Sequence, residues 1–217
     1  MKKILAILLI PFLFFVCYLI YIFTDKHSKS YLFMGDGLLK YFSEMGNTCY
    51  VDDDYRINDL LSILKHNDIN CNISLHLLLN RSNFLTISIG NNDIMSDLVD
   101  DKDIFYSELN EYLNKLRELL DIISNYDFNR VFFLGFYKFD NKNSDYVHYL
   151  NYNVRKIVNK YGYEFIDINT QISPFMIKNN GNYMLNDMGY FKLNKILVEK
   201  YKNTWYNISR IYYYDLY

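Results

Sequence analysis

Short apolar segments alternate along most of the chain with longer segments whose apolar residues fall on one helical face. Short continuous apolar segments are typical of strands that are buried on both faces of a sheet. The segments that predict strands are residues 31–34, 48–51, 84–89, 131–136 and 163–168. The segments that predict helices are residues 38–45, 57–64, 73–79, 105–123, 146–158 and 187–201. This alternation predicts a three-layer α/β/α sandwich around a parallel sheet.

The order of these segments also predicts where a functional site lies. In an open parallel sheet, ligands bind at the carboxyl ends of the strands. Three connections follow such ends, and we expect them to share one rim: residues 35–37, residues 90–93 and the loop 168–187. Each connection therefore contributes candidate site residues.

The amino-terminal segment is the most apolar part of the chain. Residues 4–23 are twenty residues without a charge, and fifteen of them are Leu, Ile, Phe or Val. A helix of this length matches a hydrocarbon core of about 30 Å. A cleavable signal peptide has a shorter apolar region that ends in small residues, whereas this segment ends in Tyr-Ile-Phe. We therefore interpret residues 1–23 as a retained transmembrane anchor, with a signal peptide as the alternative.

The chain divides into four parts on this interpretation. They are the anchor at 1–23, a polar linker at 24–30, an α/β domain at 31–202 and a tyrosine-rich tail at 203–217. Two lysines flank the apolar segment on each side, so the positive-inside rule gives only a slight orientation preference. We expect a single-pass protein of the cell membrane with its domain on the extracytoplasmic side.

The composition argues against several partners and cofactors. The formal net charge is −2 and the lysines are scattered, so no nucleic-acid surface is expected. Aromatic residues make up 18% of the chain, which we attribute to an AT-rich coding sequence rather than to an aromatic binding surface. No Cys/His spacing is typical of a metal site, and neither a metal nor another cofactor is expected. Whether Cys49 and Cys71 pair is left open.

Three motifs in this chain resemble blocks of one hydrolase family. MGDGLL carries Gly-Asp at the end of the first predicted strand, LTISIGNNDIM carries the pattern G-x-N-D, and LNDMGYFKLNKIL opens the last predicted helix. Over residues 30–202 these motifs resemble the SGNH (GDSL) hydrolases, and the G-x-N-D block is the most specific of them. The resemblance implies a flavodoxin-like SGNH hydrolase fold and the chemistry of an esterase or acyl hydrolase.

The positions that match the family's catalytic residues hold other side chains. Gly37 stands where the family has its nucleophilic serine, Met184 where it has its histidine, and Gly181 where it has its acid. Asn92 matches the asparagine whose side chain serves the family as an oxyanion donor. The resemblance therefore implies a degenerate member without the catalytic Ser, Asp and His. Asn92 is then either a remnant ligand contact or a residue that ties loops together.

We expect structural roles for the other polar residues of the rim. Asp36 and Asp93 are expected to hold their turns through hydrogen bonds, and Asp187 to cap the last helix. Gly37 is expected to permit the strained backbone angles of a nucleophile turn. The crevice rim is predicted to consist of Asp36, Gly37, Gly90, Asp93 and Met184.

A working enzyme would need substitute groups, because a nucleophile requires an activated hydroxyl with a base within hydrogen-bond reach. Ser43 is predicted to point away from the rim, and Ser88 to be packed inside a strand. The histidines outside the predicted rim are His27, His66 and His76. Asp36 and His148 remain as substitute candidates.

The leading hypothesis is a membrane-anchored, extracytoplasmic and catalytically inactive relative of SGNH hydrolases. It would act as a binding or scaffolding domain for a cell-wall glycan or a protein partner. The alternative is an active esterase of the SGNH type that uses substitute catalytic groups. A third possibility is an anchored fold without a selected ligand.

Overall fold

A computed structural model of the protein describes residues 30–66, 74–95, 102–138, 144–178 and 184–202. Within these residues, five strands form one sheet: β1 (Tyr31–Gly35), β2 (Thr48–Val51), β3 (Phe84–Ser88), β4 (Arg130–Leu134) and β5 (Glu164–Ile166). The strand order is β2-β1-β3-β4-β5, and every neighbouring pair is parallel. The prediction of a parallel sheet is confirmed.

The described part of the chain contains six α-helices: α1 (Lys40–Glu44), α2 (Ile57–His66), α3 (Leu75–Arg81), α4 (Lys102–Ile123), α5 (Ser144–Lys160) and α6 (Asp187–Lys202). The predicted helix at 38–45 is divided into a 3-10 turn, Gly37–Leu39, and the short helix α1. Asp36 caps the 3-10 turn by accepting a hydrogen bond from the Leu38 amide. This tight cap begins the first turn one residue earlier than predicted.

Different helices cover the two faces of the sheet. Successive strand side chains point to opposite faces, so Leu32 and Met34 of β1 pack with α2, α3, α4 and α5. Phe33, which lies between them, packs with the 3-10 turn, α1 and α6. The structure therefore confirms the three-layer α/β/α sandwich. It also places the carboxyl ends of β1 and β3 side by side, with Gly35 opposite Ser88.

Tyr201, in the last described turn of α6, belongs to the apolar layer on the face of the sheet that carries Phe33. We call this the second apolar layer. Tyr201 is fully buried, and its hydroxyl forms a hydrogen bond with the Thr86 side chain of β3. Its ring packs edge-on against three rings of the sheet, at centroid distances of 4.8 Å to Tyr31, 6.0 Å to Phe84 and 5.0 Å to Phe132. These rings belong to β1, β3 and β4. One residue of α6 therefore joins three strands.

Several sequence predictions fall outside the described residues. They concern the anchor at 1–23, the linker except residue 30, the tail at 203–217, Cys71 and Gly181. Within the ranges that are described, no helix is both long enough and apolar enough to cross a membrane. Cys49 is a half-buried free thiol on β2, and burial raises its pKa to about 12.

Candidate functional site

The first rim turn begins at a glycine that cannot be replaced without moving the backbone. Gly35 ends β1 with φ of +139°, in the region that favours glycine. A Cβ atom at this position would lie 1.6 Å from the Ser88 carbonyl oxygen. That same carbonyl accepts a hydrogen bond of 2.8 Å from the Asp36 amide. The close approach of β1 and β3 therefore sets the path of the chain into the turn.

Asp36 is fully buried and lies at the centre of a hydrogen-bond network. Its carboxylate accepts from the Leu38 amide at 3.3 Å and from the Ser88 hydroxyl at 3.0 Å. It also accepts from the Asn91 amide at 3.2 Å and the Asn91 Nδ2 at 2.9 Å. Burial raises the pKa of Asp36 to about 6, although these hydrogen bonds act in the opposite direction. The network joins the turn after β1 to the turn after β3.

Gly37 has a different role from the one expected from the sequence. Its φ is not positive, since the glycines of the rim with positive φ are Gly35 and Gly90. The expectation that Gly37 permits strained backbone angles was therefore wrong, and Gly35 takes that role. Gly37 is buried at the start of the 3-10 turn. A Cβ atom there would lie 2.8 Å from Asp53 Oδ1 and 3.2 Å from Met184 Cε. These two side chains line the space of the nucleophile position.

Asp53 is the rim residue that sequence reasoning missed. It lies in the connection after β2, whose carboxyl end belongs to the same edge of the sheet as that of β1. Its carboxylate forms an ion pair with Lys40 at the start of α1. The available signal was topological, because the residues after β2 had to reach the rim as those after β1 and β3 do. No sequence motif marks this position.

Asn92 uses its side-chain amide to hold the Asp53 connection. Its Nδ2 donates to the carbonyl oxygens of Asp53 at 2.7 Å and Tyr55 at 3.0 Å. A primary amide has two N–H donors, so both are engaged within the protein. An oxyanion at this position would have to displace one of these carbonyls. The geometry therefore supports a role in tying two loops together.

Gly90 and Asp93 complete the second rim turn. Gly90 has φ of +114°, and a Cβ atom there would lie 2.6–2.7 Å from the Tyr112 ring. The Tyr112 hydroxyl donates to the Ile89 carbonyl at 2.8 Å. Asp93 accepts the Ile57 amide at 3.0 and 3.3 Å and so caps α2. Burial raises the pKa of Asp93 to about 6.

Met184 brings the third connection to the rim. It is half-buried, its carbonyl accepts from the Lys178 amide at 2.9 Å, and its sulfur lies 4.0 Å from the Tyr190 hydroxyl. The cap of the following helix differs from the prediction. Asn186 caps α6 by accepting from the Gly189 amide at 3.1 Å, whereas Asp187 is the first helical residue and is exposed.

The substitute catalytic groups are not assembled at this rim. Ser43 is exposed on α1, and Ser88 is buried with its hydroxyl on Asp36. His66 and His148 are exposed, while His76 contacts the Tyr126 hydroxyl and the Leu64 carbonyl. Leu64 lies in the last turn of α2, and Tyr126 follows the end of α4. In a parallel α/β fold these helix ends lie at the amino ends of the strands, so His76 is away from the rim. Among the described residues, no imidazole forms a hydrogen bond with a serine or threonine hydroxyl. His27 lies outside them.

In the part of the chain that the structure describes, surface clefts lie near both edges of the sheet. A cleft of about 230 Å³ adjoins the second rim turn and is lined by Arg56, Asn58, Asp93, Glu108, Glu111, Tyr112 and Lys115. A larger cleft of about 410 Å³ lies at the amino ends of β4 and β5, away from the predicted rim. Within the described ranges, no group of three or more His, Cys, Asp or Glu side chains is arranged to hold a metal ion.

This three-layer fold with its five-stranded parallel sheet is similar to the folds of solved esterase and hydrolase structures. The crystal structure of Axe2, an acetylxylan esterase from Geobacillus stearothermophilus, is similar to it with a TM-score of 0.56 and 13% sequence identity. That similarity covers 80% of this chain and 94% of the esterase. No protein-family model and no curated protein matches the sequence.

A second similar structure is LAE5, an alpha/beta hydrolase enzyme from the metagenome of Lake Arreo, Spain. Its TM-score is 0.57 at 12% identity, and the match covers 79% of this chain and 94% of LAE5. Variants of Axe2 in which a serine, an aspartate or a histidine is replaced by alanine are described as catalytic mutants. At these identities the similarity establishes the fold.

Proposed function

We propose that this protein is a membrane-anchored, extracytoplasmic and non-catalytic relative of the SGNH esterases that acts as a binding or scaffolding domain. One observation carries the proposal. Gly37 is buried at the turn where the family resemblance places a nucleophile. A Cβ atom at this position would lie 2.8 Å from Asp53 Oδ1 and 3.2 Å from Met184 Cε.

The chemistry of acyl transfer explains why this geometry argues against catalysis. A nucleophile needs an activated oxygen or sulfur atom, and its base must lie within hydrogen-bond reach. Glycine supplies no such atom, and a thioether does not take up a proton at neutral pH. In serine proteases, loss of the serine or the histidine alone lowers turnover about 10⁶-fold. The remaining oxyanion contacts would leave only about 10³-fold over water.

The solved esterase structures support the proposal by contrast. Axe2 depends on a serine, an aspartate and a histidine, as its catalytic mutants indicate. The corresponding positions implied by the family motifs are Gly37, Gly181 and Met184 in this chain. All three catalytic side chains differ at once, whereas the Gly-Asp turn and the G-x-N-D turn are joined to neighbouring segments by hydrogen bonds in this chain. Preservation of the scaffold without its chemistry favours a binding role.

The membrane location is proposed from the sequence of residues 4–23. Their twenty uncharged residues match the thickness of a bilayer. The ligand is proposed to be a cell-wall glycan, in keeping with the xylan substrate of the similar esterase, or a protein partner. Extraction of membranes at alkaline pH tests the anchor, because a transmembrane segment stays in the pellet and a peripheral protein is released.

The test of inactivity is an ester-hydrolysis assay on the full chain in nanodiscs. We expect no hydrolysis of p-nitrophenyl acetate or acetylated xylooligosaccharides above heat-inactivated protein, and no adduct with a serine-directed phosphonate by mass spectrometry. An active acetylxylan esterase serves as positive control. Turnover that is abolished by Asn92→Ala, Asp36→Ala or His148→Ala would establish the alternative, an active esterase with substitute groups.

A further inference from the structure

We infer that the surface around the start of α6 docks onto the face of an anionic lipid bilayer. This surface consists of the 3-10 turn Pro174–Met176 and the first turns of α6, and we call it the α6 patch. Three large apolar side chains are exposed on it: Phe175 is 68% exposed, Met188 is 55% exposed and Phe191 is 56% exposed. The inference extends the proposed membrane location and does not depend on the catalytic question.

Hydrogen bonds to backbone carbonyls hold the two segments of the α6 patch together. The Asn186 Nδ2 donates to the Phe175 carbonyl at 2.7 Å, and the Asn186 amide donates to the Met176 carbonyl at 2.9 Å. A Cβ atom at Gly189 would lie 2.4 Å from the Met176 carbonyl oxygen, so the 3-10 turn lies directly against the helix. The apolar side chains are therefore presented from a fixed backbone.

Basic side chains accompany the apolar ones. Lys192 and Lys195 follow Met188 and Phe191 at helical spacing on the same face of α6, and Lys178 follows the 3-10 turn. Lys178 and Lys195 are exposed, and Lys192 is half-buried. In the part of the chain that the structure describes, none of these three lysines forms an ion pair. The acidic residues on the exposed side of α6 are Asp187 and Glu199.

This combination favours a lipid surface over a second copy of the chain. Apolar side chains that insert at the headgroup level, flanked by lysines, are typical of interfacial membrane contacts. Lysine side chains near an anionic bilayer are attracted by its negative surface potential. In a twofold dimer the same patch would face itself, and its lysines would then meet lysines. A stable protein interface also needs roughly 800 Å² on each partner, which three side chains do not supply.

The exposed aromatic residues on the opposite layer have a different character. Tyr106 packs edge-on against Tyr149 at 5.4 Å, and the Lys156 ammonium lies over the Tyr152 ring at 5.0 Å. These are tyrosines with polar hydroxyl groups, and they contact one another or a cation. Because α5 covers the other face of the sheet from α6, this surface provides a matched control.

The experiment measures depth in the bilayer for the full chain, reconstituted in vesicles that contain brominated lipids. Phe191→Trp is introduced in a Trp205→Phe background, so that one indole reports its contact with the acyl region. Tyr152→Trp in the same background is the control, since Tyr152 is 57% exposed and Phe191 is 56% exposed. Vesicles of phosphatidylcholine are compared with vesicles that contain phosphatidylglycerol as well.

We expect at least twofold stronger quenching at position 191 than at position 152 in anionic vesicles. Lys192→Glu together with Lys195→Glu should remove most of that difference, as should vesicles of phosphatidylcholine alone. Equal quenching at both positions, or no quenching at position 191, would overturn the inference and leave a protein partner as the occupant. The quenching experiment is independent of both the esterase assay and the alkaline extraction. Failure of the docking inference can therefore be told apart from failure of the proposed inactivity or of the proposed anchor.

Discussion

Gly37 lies in a space that is shared by two side chains from distant parts of the chain. Asp53 reaches it from the connection after β2, and Met184 reaches it from the loop before α6. Because the φ of Gly37 is not positive, a larger residue there meets crowding and not backbone strain. A side chain introduced at Gly37 would therefore also have to displace the neighbouring Asp53 and Met184 side chains.

The first prediction is that Gly37→Ser destabilises the protein and confers no esterase activity. Its Cβ would lie 2.8 Å from Asp53 Oδ1, and overpacking of this kind typically costs about 1–3 kcal/mol. Chemical denaturation measures the change in the free energy of unfolding. In an Asp53→Ala background, Gly37→Ser should lower the free energy of unfolding by less than it does in the native protein. An equal loss in both backgrounds would contradict the proposed crowding.

The second prediction concerns the amide of Asn92. Asn92→Ala removes two hydrogen bonds to the Asp53 and Tyr55 carbonyls, and we expect a loss of about 1–3 kcal/mol. Hydrogen exchange of the amides in residues 53–57 should accelerate. Asn153→Ala is the matched control, because its Nδ2 donates to one carbonyl on an exposed helix surface. If the two variants lose the same stability, Asn92 does not organise the rim.

At the level of elements, the carboxyl group of Asp93 connects the turn after β3 to the first turn of α2. A carboxylate at a helix amino terminus is stabilised by the free amide groups there. Here burial has the larger effect and raises the pKa of Asp93 to about 6. The contact between the turn after β3 and the start of α2 therefore depends on the Asp93 carboxyl group, which changes its charge under mildly acidic conditions.

The third prediction follows from the direction of that pKa shift. An aspartate has a pKa of about 3.9 in an unfolded chain, so the folded protein holds the proton more tightly. This carboxyl therefore lowers stability as the pH rises from about 4 to about 6, with no further change above that range. Asp93→Asn keeps an acceptor for the Ile57 amide and removes the titration. The variant should gain roughly 1–3 kcal/mol relative to the native protein between pH 4 and pH 7.

Denaturation midpoints at pH 4, 5, 6 and 7 measure this difference. The native protein also contains Asp36, whose pKa is raised in the same direction by burial. Asp36 is present in both proteins and cancels in the comparison. Parallel stability curves for the native protein and the variant would show that Asp93 does not titrate in this range.

At the level of the whole molecule, Tyr201 links the last described helix to three strands of the sheet. The Tyr201 ring packs against β1, β3 and β4, and its hydroxyl is bonded to Thr86. Tyr201 belongs to the second apolar layer, together with the 3-10 turn at 37–39, the short helix α1 and other residues of α6. The stability of the fold therefore depends strongly on the end of α6.

The fourth prediction is that Tyr201→Ala costs about 3–5 kcal/mol, as expected for a buried aromatic residue. Tyr201→Phe should cost less, about 1–3 kcal/mol, because it keeps the ring and leaves the Thr86 hydroxyl without this partner. Tyr152→Ala removes a ring that is mostly exposed and serves as control. Thermal and chemical denaturation should rank the three variants in this order, and a reversed order would contradict the assigned role of the ring.

The sheet and the helices were predictable because continuous apolar strands and one-faced helices leave distinct patterns in the sequence. The rim was predictable as a location, since topology places residues 35–37 and 90–93 at one edge. The contents of the rim were less predictable. Asp53 lies against Gly37 because of the path of the short connection after β2. Gly35, and not Gly37, has a positive φ because β1 approaches Ser88 closely. Neither fact leaves a periodic signal.

The contact between Tyr31 and Tyr201 has a consequence for synthesis. The strand β1 lies in the middle of the sheet, yet a residue at its start is covered by one near the end of the last helix. At about 5–20 residues per second, the first strand leaves the ribosome roughly 10 to 30 s before its cover. During that interval the apolar side chains of β1 that pack against α6 in the folded protein remain exposed. A cell that makes this chain must therefore keep the nascent polypeptide from aggregating until α6 has been synthesised.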